Sequence, residues 1–347
     1  MKKLLWTGEA YTPAEAEFMK EYDIEKYGYA ITGKNDDALS DKDGDQLIAL
    51  LKEKEIFVIG YDVLSAHVLG FCGDLKCILS VRDGPEENID IDTCTKLGIP
   101  VLSAGGRCAH GVAELTLMSM YLLARRYLPL QRYMEEGGWT KNGYDKVDEV
   151  AAESEELGGK TLGIVGLGRN GRELAKLALG VGMKVIAYDP YVNKAMVSPE
   201  IQIVDDLMEL MPNIDYFSIL ARVSETNKKM IGRKEIFAMK PTASFINTGR
   251  AALVDMDALY DALEQNVIRA AALDVYTEEP PSLNSRVYSF PTDKLIITPH
   301  IGGTTKERIP HQYEALIEGL RQLKNGEIPH NLINKEVLQQ SNFRMKK

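Results

Sequence analysis

The stretch KTLGIVGLGRNGRELAKLALGVGMKVIAYDP, residues 160–190, constrains the fold more than any other part of the chain. A short apolar run ends in Gly166-x-Gly168-x-x-Gly171. A segment with helical spacing follows, and then a second apolar run that stops at Asp189 and Pro190. The same rhythm continues downstream. The runs DYFSIL, ASFINT, RAAALDV and KLIITPH are separated by stretches such as DDLMELM and DMDALYDALEQN. Buried strands alternating with amphipathic helices predict a parallel sheet covered on both faces.

The first part of the chain repeats this pattern less clearly. IFVIG (56–60), LKCILS (75–80) and IPVLS (99–103) read as strands, with NIDIDTCTKLG as a helix between two of them. A second α/β unit is therefore expected. A chain of 347 residues also exceeds what one core usually serves. The segment 135–159 is polar, lacks a sustained apolar period and reads as a long surface connection. AELTLMSMYLLA (113–124) is the most apolar stretch. It is bracketed by Glu114 and Arg125–Arg126, too short for a membrane span, and reads as a buried helix.

Composition narrows the partners. The formal net charge is −10, so the chain repels phosphate backbones, and nucleic acid is not an expected partner. The basic RMKK run at the end reads as a solvated tail. MKKLLW begins like a signal peptide, but Gly8 and Glu9 stop its apolar run after three residues, so no leader is expected. The four cysteines, Cys72, Cys77, Cys94 and Cys108, form no Cys-x-x-Cys and have no histidine cluster beside them. Reduced thiols in a cytoplasmic protein are expected, with no metal and no membrane partner.

Each part of the glycine fingerprint has a physical reason. Gly166 permits a tight turn, Gly168 lets the backbone approach a pyrophosphate, and Gly171 lets helix pack closely on strand. The helix N-terminus offers N–H groups to phosphates. Asp189 stands at the end of the next strand, 18 residues after Gly171. A carboxylate there accepts hydrogen bonds from a ribose and repels a 2′-phosphate, which favours NAD over NADP. Arg169 reads equally well as a pyrophosphate neighbour or as a solvated loop arginine, and Asn170 lies beside it.

Three polar groups follow later strands: Arg250 in INTGRAALVD, Glu279 in ALDVYTEEP and His300 in TPHIGG. Open α/β sheets bind ligands at such strand ends. Taken singly, each has a structural reading, as a surface arginine, a turn acid and a turn histidine. Taken in order, the motifs resemble the D-isomer-specific 2-hydroxyacid dehydrogenases. The NAD fingerprint, the Asn-Thr-x-Arg segment, the Asp-Val…Glu-Pro segment and the Thr-Pro-His-Ile-x-Gly segment appear at familiar spacings. The resemblance runs from VRDGPEENIDIDTCTKLGIPV to PHNLIN.

The resemblance implies two Rossmann-like or flavodoxin-like domains with parallel sheets, the active site in the cleft between them, and a homodimer. The substrate domain is implied to comprise 1–112 and 303–347, with the NAD-binding domain at 113–302. It implies His300 as the acid–base, Glu279 as its partner and Arg250 as the carboxylate ligand. Thr248, Gly249, Arg250, Asp274, His300, Gly302 and Gly303 join Gly166, Gly168, Arg169, Asn170, Gly171 and Asp189 around the cofactor, with Asp274 contacting the nicotinamide carboxamide. Arg82, Asp83 and Gly84 are implied to bind the substrate carboxylate through main-chain amides, with Arg250 and His300. These roles also suit the chemistry. Imidazole titrates near working pH, a neighbouring carboxylate favours its protonated form, and guanidinium stays charged.

Two positions depart from the commonest pattern: Gly249 stands where alanine or serine is usual, and Ala251 where glycine is usual. The stretch SAGGRCAHGVAE (103–114) is atypical. Arg107 and His110 there read either as a basic pair for a phosphate or second carboxylate, or as exposed loop residues. The expected activity is hydride transfer between NAD(H) and a D-2-hydroxy or 2-oxo acid, 3-phosphoglycerate-like acids among the candidates. No C-terminal regulatory domain is expected. The competing class is an NAD-responsive corepressor or scaffold with little turnover. Formate dehydrogenase is disfavoured, because Glu279 stands where that branch pairs its histidine with glutamine.

Overall fold

The computed structural model describes residues 1–345, so the RMKK run ends in two lysines outside the described residues. The chain forms two compact units, one of Met1–Arg107 with Lys306 onward, the other of Cys108–Thr305. Each has its own parallel sheet.

In the first unit, β1 (Lys2–Trp6), β2 (Tyr22–Lys26), β3 (Ile56–Ile59), β4 (Cys77–Ser80) and β5 (Val101–Ser103) form a sheet in the order β2-β1-β3-β4-β5. This is the flavodoxin-like order. β3 and β4 are buried along their whole length, as strands covered on both faces must be. Strands β1 and β2 were not foreseen. The MKKLLW run is too short to show a period, and β2 (YDIEK) alternates with only one fully buried residue. The open edge of β5 is closed by residues near the chain's end. Ser103 N donates to Asn331 O, Ile333 N to Val101 O, and Val101 N to Asn334 Oδ1 at 2.9 Å. The Asn334 amide donates back to Ile99 O.

In the second unit, β6 (Thr161–Val165), β7 (Lys184–Tyr188), β8 (Ile201–Val204), β9 (Tyr216–Ile219), β10 (Ser244–Asn247), β11 (Ala270–Leu273) and β12 (Leu295–Ile297) stand in the order β12-β11-β10-β9-β6-β7-β8, all parallel. The order reverses between β6 and β9, and the glycine fingerprint leaves β6 at this switch point, where open α/β sheets bind ligands. β8 went unrecognised because it is half-exposed.

The Ala109–Ala124 helix packs Met120 and Leu123 into the core that also holds Leu174, Ala175 and Ala178 of the Arg169–Gly180 helix. It is buried on one face only, since Met118 and Tyr121 are exposed. The expected connection at 135–159 is instead helical in part. Gly138–Asn142 and Asp145–Ala151 are short helices that follow a Tyr127–Glu135 helix. The Tyr127–Glu135 helix buries no residue, so no apolar stripe marks it in the sequence. No helix among the described residues is long and apolar enough to cross a membrane.

Candidate active site

The glycine loop is built as its sequence demands. Gly166 has φ +95°, a left-handed backbone that favours glycine, and a Cβ there would lie 2.6 Å from the Ala221 backbone. At Gly171 a Cβ would stand 2.0 Å from Gly166 O, so the helix meets the turn at a distance only glycine allows. Gly168 differs. A Cβ there would meet no protein atom within 4 Å, so nothing in the protein requires glycine at that position. Gly168 is also the N-cap of the Arg169–Gly180 helix and supplies no side-chain cap. Open space, an uncapped helix N-terminus and a bare backbone are what a pyrophosphate needs. Arg169 is exposed and Asn170 half-buried beside it.

Asp189 is fixed by this loop. Its Oδ2 accepts from Leu167 N at 2.8 Å and its Oδ1 from Tyr191 N at 2.9 Å. Each carboxylate oxygen keeps a second lone pair for a ribose hydroxyl. The loop thus sets the acid's position, two strands' ends acting as one device.

The segment after β10 is equally tight. Gly249 N donates to Asn247 Oδ1, and a Cβ at Gly249 would lie 2.4 Å from Ile219 O. The departure from the usual residue there is thus matched by close packing on the end of β9. Thr116 Oγ1 donates to Val112 O, so its 2.6 Å bond with Thr248 Oγ1 takes the Thr248 proton. Arg250 projects from this turn, exposed, with Nη1 on Gly249 O at 2.9 Å.

Glu279 and His300 meet. His300 Nδ1 and Glu279 Oε2 are 2.6 Å apart, and Glu279 Oε1 accepts from Tyr276 N at 2.9 Å. Partial burial pushes the Glu279 carboxyl up. The His300 bond, the Tyr276 amide and the nearby Arg250 charge outweigh it and hold the group below the usual carboxylate range. An ionised Glu279 accepts from Nδ1–H, so Nε2 of His300 is the atom turned away from the pair.

His300 itself has φ +54°, in the left-handed region. A non-glycine residue there persists only where its surroundings hold it. Asp274, 1% exposed, does so. Its Oδ1 accepts from Thr298 Oγ1 at 2.6 Å and Ile301 N at 2.8 Å, and its Oδ2 from Gly302 N at 2.8 Å. The carboxylate thus ties both sides of His300 to the end of β11. The Tyr276 hydroxyl adds a 2.7 Å bond to Thr298 O. The two glycines of TPHIGG do not carry the turn, since neither has a positive φ. They serve close approach: a Cβ at Gly302 would press on Asp274 Oδ2, and one at Gly303 on Cys108 Sγ, each at 3.0 Å.

Arg82, Asp83 and Gly84 lie in the first unit, past the end of β4. The Arg82 guanidinium pairs with Glu87 and lies over the Tyr61 ring, 5.0 Å from its centre. Arg82 O accepts from Ser103 Oγ at 2.7 Å, and Asp83 Oδ1 from Gly106 N at 2.6 Å. The loop after β4 is therefore laced to the loop after β5. Arg107 and His110, which read in the sequence either as a basic pair or as exposed loop residues, fall in different units. His110 lies in the second unit between Glu173 (2.9 Å) and Glu114 (3.0 Å), whose hydrogen bonds and charge raise its pKa. Among the described residues no group of three His, Cys, Asp or Glu is placed to hold a metal ion.

Thr116, Tyr276 and Thr298 support the site and were not singled out in the sequence. A serine-or-threonine before Pro-His was the available signal for Thr298; the other two carry none, because their partners lie far away along the chain.

The family described as D-isomer specific 2-hydroxyacid dehydrogenase, NAD binding domain, matches residues 117–302. The chain is 38% identical to a glyoxylate reductase of Thermococcus litoralis over 283 residues, 81% of this chain and 83% of that protein. It is 33% identical to a D-3-phosphoglycerate dehydrogenase of Methanocaldococcus jannaschii over 292 residues, 84% of this chain. That match spans only 53% of the Methanocaldococcus protein, about half its length. The fold is shared with a D-lactate dehydrogenase of Lactobacillus jensenii crystallised with NAD+, at a TM-score of 0.73, 24% identity and coverage of 96% and 99%. The chain belongs to the D-isomer-specific 2-hydroxyacid dehydrogenase family, and its second unit carries that family's NAD-binding domain.

Proposed function

We propose that the chain is an NAD-dependent oxidoreductase that interconverts a D-2-hydroxy acid and its 2-oxo acid. The observation that carries the reading is the 2.6 Å bond between His300 Nδ1 and Glu279 Oε2, on a loop braced by Asp274. NAD, when bound, accepts or donates the hydride. Gly166, Gly168, Arg169, Asn170 and Gly171 would hold its pyrophosphate and Asp189 its ribose, with Thr248, Gly249, Arg250, Asp274, His300, Gly302 and Gly303 as its other binding residues.

The chain's own residues handle the proton and the anion. In oxidation, His300 Nε2 takes the hydroxyl proton; in reduction, it returns one to the carbonyl oxygen. Glu279, ionised and bonded to Nδ1, fixes the tautomer and the orientation of the ring. Arg250 binds the substrate carboxylate and polarises the carbonyl, and backbone amides of Arg82, Asp83 and Gly84 bind carboxylate oxygens.

The protein acts as a homodimer in the cytoplasm. Support for a dimer comes from Met118, Tyr121, Tyr127, Met134 and Trp139, all exposed along consecutive helices of the second unit. Support for a reducing compartment comes from the four free cysteines, of which burial pushes the Cys72 thiol up to about 11.

The test is NADH oxidation with a panel of 2-oxo acids, beside equilibrium NADH binding. Turnover of at least one acid is expected. Tight NADH binding with no turnover of any would sink the enzymatic reading. Replacing Asp189 by alanine is expected to raise use of NADPH; an equally poor NADPH rate would remove the ribose argument.

A further inference from the structure

The rim of the first unit at the ends of β1, β4 and β5 carries three arginines, and two are neutralised. Arg82 pairs with Glu87 and Arg308 with Glu9, the latter at 2.9 Å. Arg107 has no such partner. Its Nε and Nη1 are buried, and neither has a hydrogen-bond partner among the described residues. The residue as a whole is half-buried, and two desolvated guanidinium nitrogens without a partner are unfavourable unless an anion meets them.

The surroundings are unsatisfied in the same way. Gln312 is fully buried, and both its amide oxygen and its amide nitrogen lack partners, as does Trp6 Nε1. These groups adjoin one phenol. The Tyr313 hydroxyl donates to Glu9 O, and burial raises its pKa, with Trp6, Gln312 and the Arg107 charge close enough to act against that rise. Among these unpaired groups Arg107 alone carries a charge, so it alone calls for an anion.

The loop that carries Arg107 is hydrogen-bonded to the loop assigned above to the substrate carboxylate. Gly106 N, one residue before Arg107, donates to Asp83 Oδ1, and Ser103 Oγ to Arg82 O. We propose that Arg107 is a specificity-determining residue that binds a second anionic group on the substrate, so the preferred acids carry two anions. The second group is a carboxylate or a phosphate, both matched by a guanidinium fork. The inference rests on the dehydrogenase reading for the position of the first carboxylate. It departs from the basic pair suggested by the sequence, since His110 is already held by two glutamates.

The experiment compares kcat/KM for glyoxylate and pyruvate with that for oxaloacetate, 2-oxoglutarate and 3-phosphohydroxypyruvate, in wild type, Arg107→Met and Arg107→Lys. Wild type is expected to favour at least one dianion about tenfold or more, a margin that a charge-assisted contact supplies. Arg107→Met should reduce the dianion-to-monoanion ratio at least about tenfold, with Arg107→Lys between the two. The dicarboxylates and the phosphorylated acid separate the two sources of the anion. No preference in wild type, or an equal loss for every acid in Arg107→Met, overturns the proposal; an equal loss means that Arg107 serves the shared carboxylate or the fold. Calorimetric binding of the same acids to the NADH-loaded protein separates this inference from the enzymatic one. If nothing turns over yet dianions bind in an Arg107-dependent way, the anion site stands and the dehydrogenase reading falls. If no dianion binds better than a monoanion, the site falls as well.

Discussion

Two loops of the second unit leave parallel strands at the same end of the sheet, and they handle backbone strain in opposite ways. In the loop after β6, glycine takes the left-handed conformation, at Gly166, and no side chain reacts. In the loop after β12, the left-handed residue is His300, while its flanking glycines have ordinary φ angles and serve close contacts. A loop that binds through its backbone can put glycine at the strained position. A loop that presents a side chain cannot, so an outside brace must hold the strain. Asp274, taking three hydrogen bonds from both sides of the histidine, is that brace.

The comparison has consequences that can break it. His300→Gln is expected to lower kcat by roughly 10³-fold, within the range for loss of a general acid–base. The same variant should leave the NADH dissociation constant within about twofold, because the pyrophosphate and ribose contacts belong to the other loop. Retention of most activity would remove His300 from the chemistry.

The glycine loop is probed by two alanines that should behave differently. Gly171→Ala forces a methyl onto Gly166 O and is expected to cost roughly 1–3 kcal/mol of stability in a denaturant titration. Gly168→Ala meets open space and should shift stability by less than about 1 kcal/mol, yet weaken NADH binding about tenfold. Equal effects of the two on stability would mean that Gly168 is also a packing residue.

Asp274→Asn leaves one amide N–H facing a donor under His300. The mismatch is expected to cost roughly 1–3 kcal/mol and to lower kcat about tenfold without abolishing it. A wild-type kcat in this variant would show that the brace is dispensable and the comparison wrong.

Glu279→Gln gives the smallest change, a kcat lower by about tenfold or less. The carboxamide can still accept from Nδ1–H but carries no charge, so the ring keeps its orientation and part of the activity survives. A kcat equal to that of the wild type would count against the pair. The sign for stability follows from the lowered Glu279 pKa. The native contact stabilises above the unfolded carboxylate pKa and is lost as pH falls through the folded value, so the stability gap between wild type and variant should close on acidification. Because the side chain is 36% exposed, solvent screening keeps that gap small.

The sequence showed the parts of this site whose signals are local. Strand, glycine spacing and helix lie together within thirty residues, and β6, β7 and β9 to β12 are apolar enough to read as buried. It was silent where the determining contact is distant. Asp274 and Gly302 are 28 residues apart, and nothing local says that one braces the other. The left-handed backbone of His300 was hidden behind two glycines that seemed the natural place for a turn. The helices between 127 and 151 were obscured for another reason: apolar side chains such as Tyr127 and Trp139 stay exposed in this chain and so follow no core-facing period.

The closure of β5 by residues 331–334 bears on the order in which the protein can be made. The first unit's sheet is composed from residues near the start of the chain, but its last edge is covered only by a segment translated after the whole second unit. Until that segment leaves the ribosome, β5 offers an unpaired row of amides and carbonyls, the kind of edge on which other chains can add. The second unit, continuous in sequence, can complete itself meanwhile. A nascent chain stalled just short of Asn331 should therefore carry a finished nucleotide-binding unit and an unfinished, aggregation-prone partner.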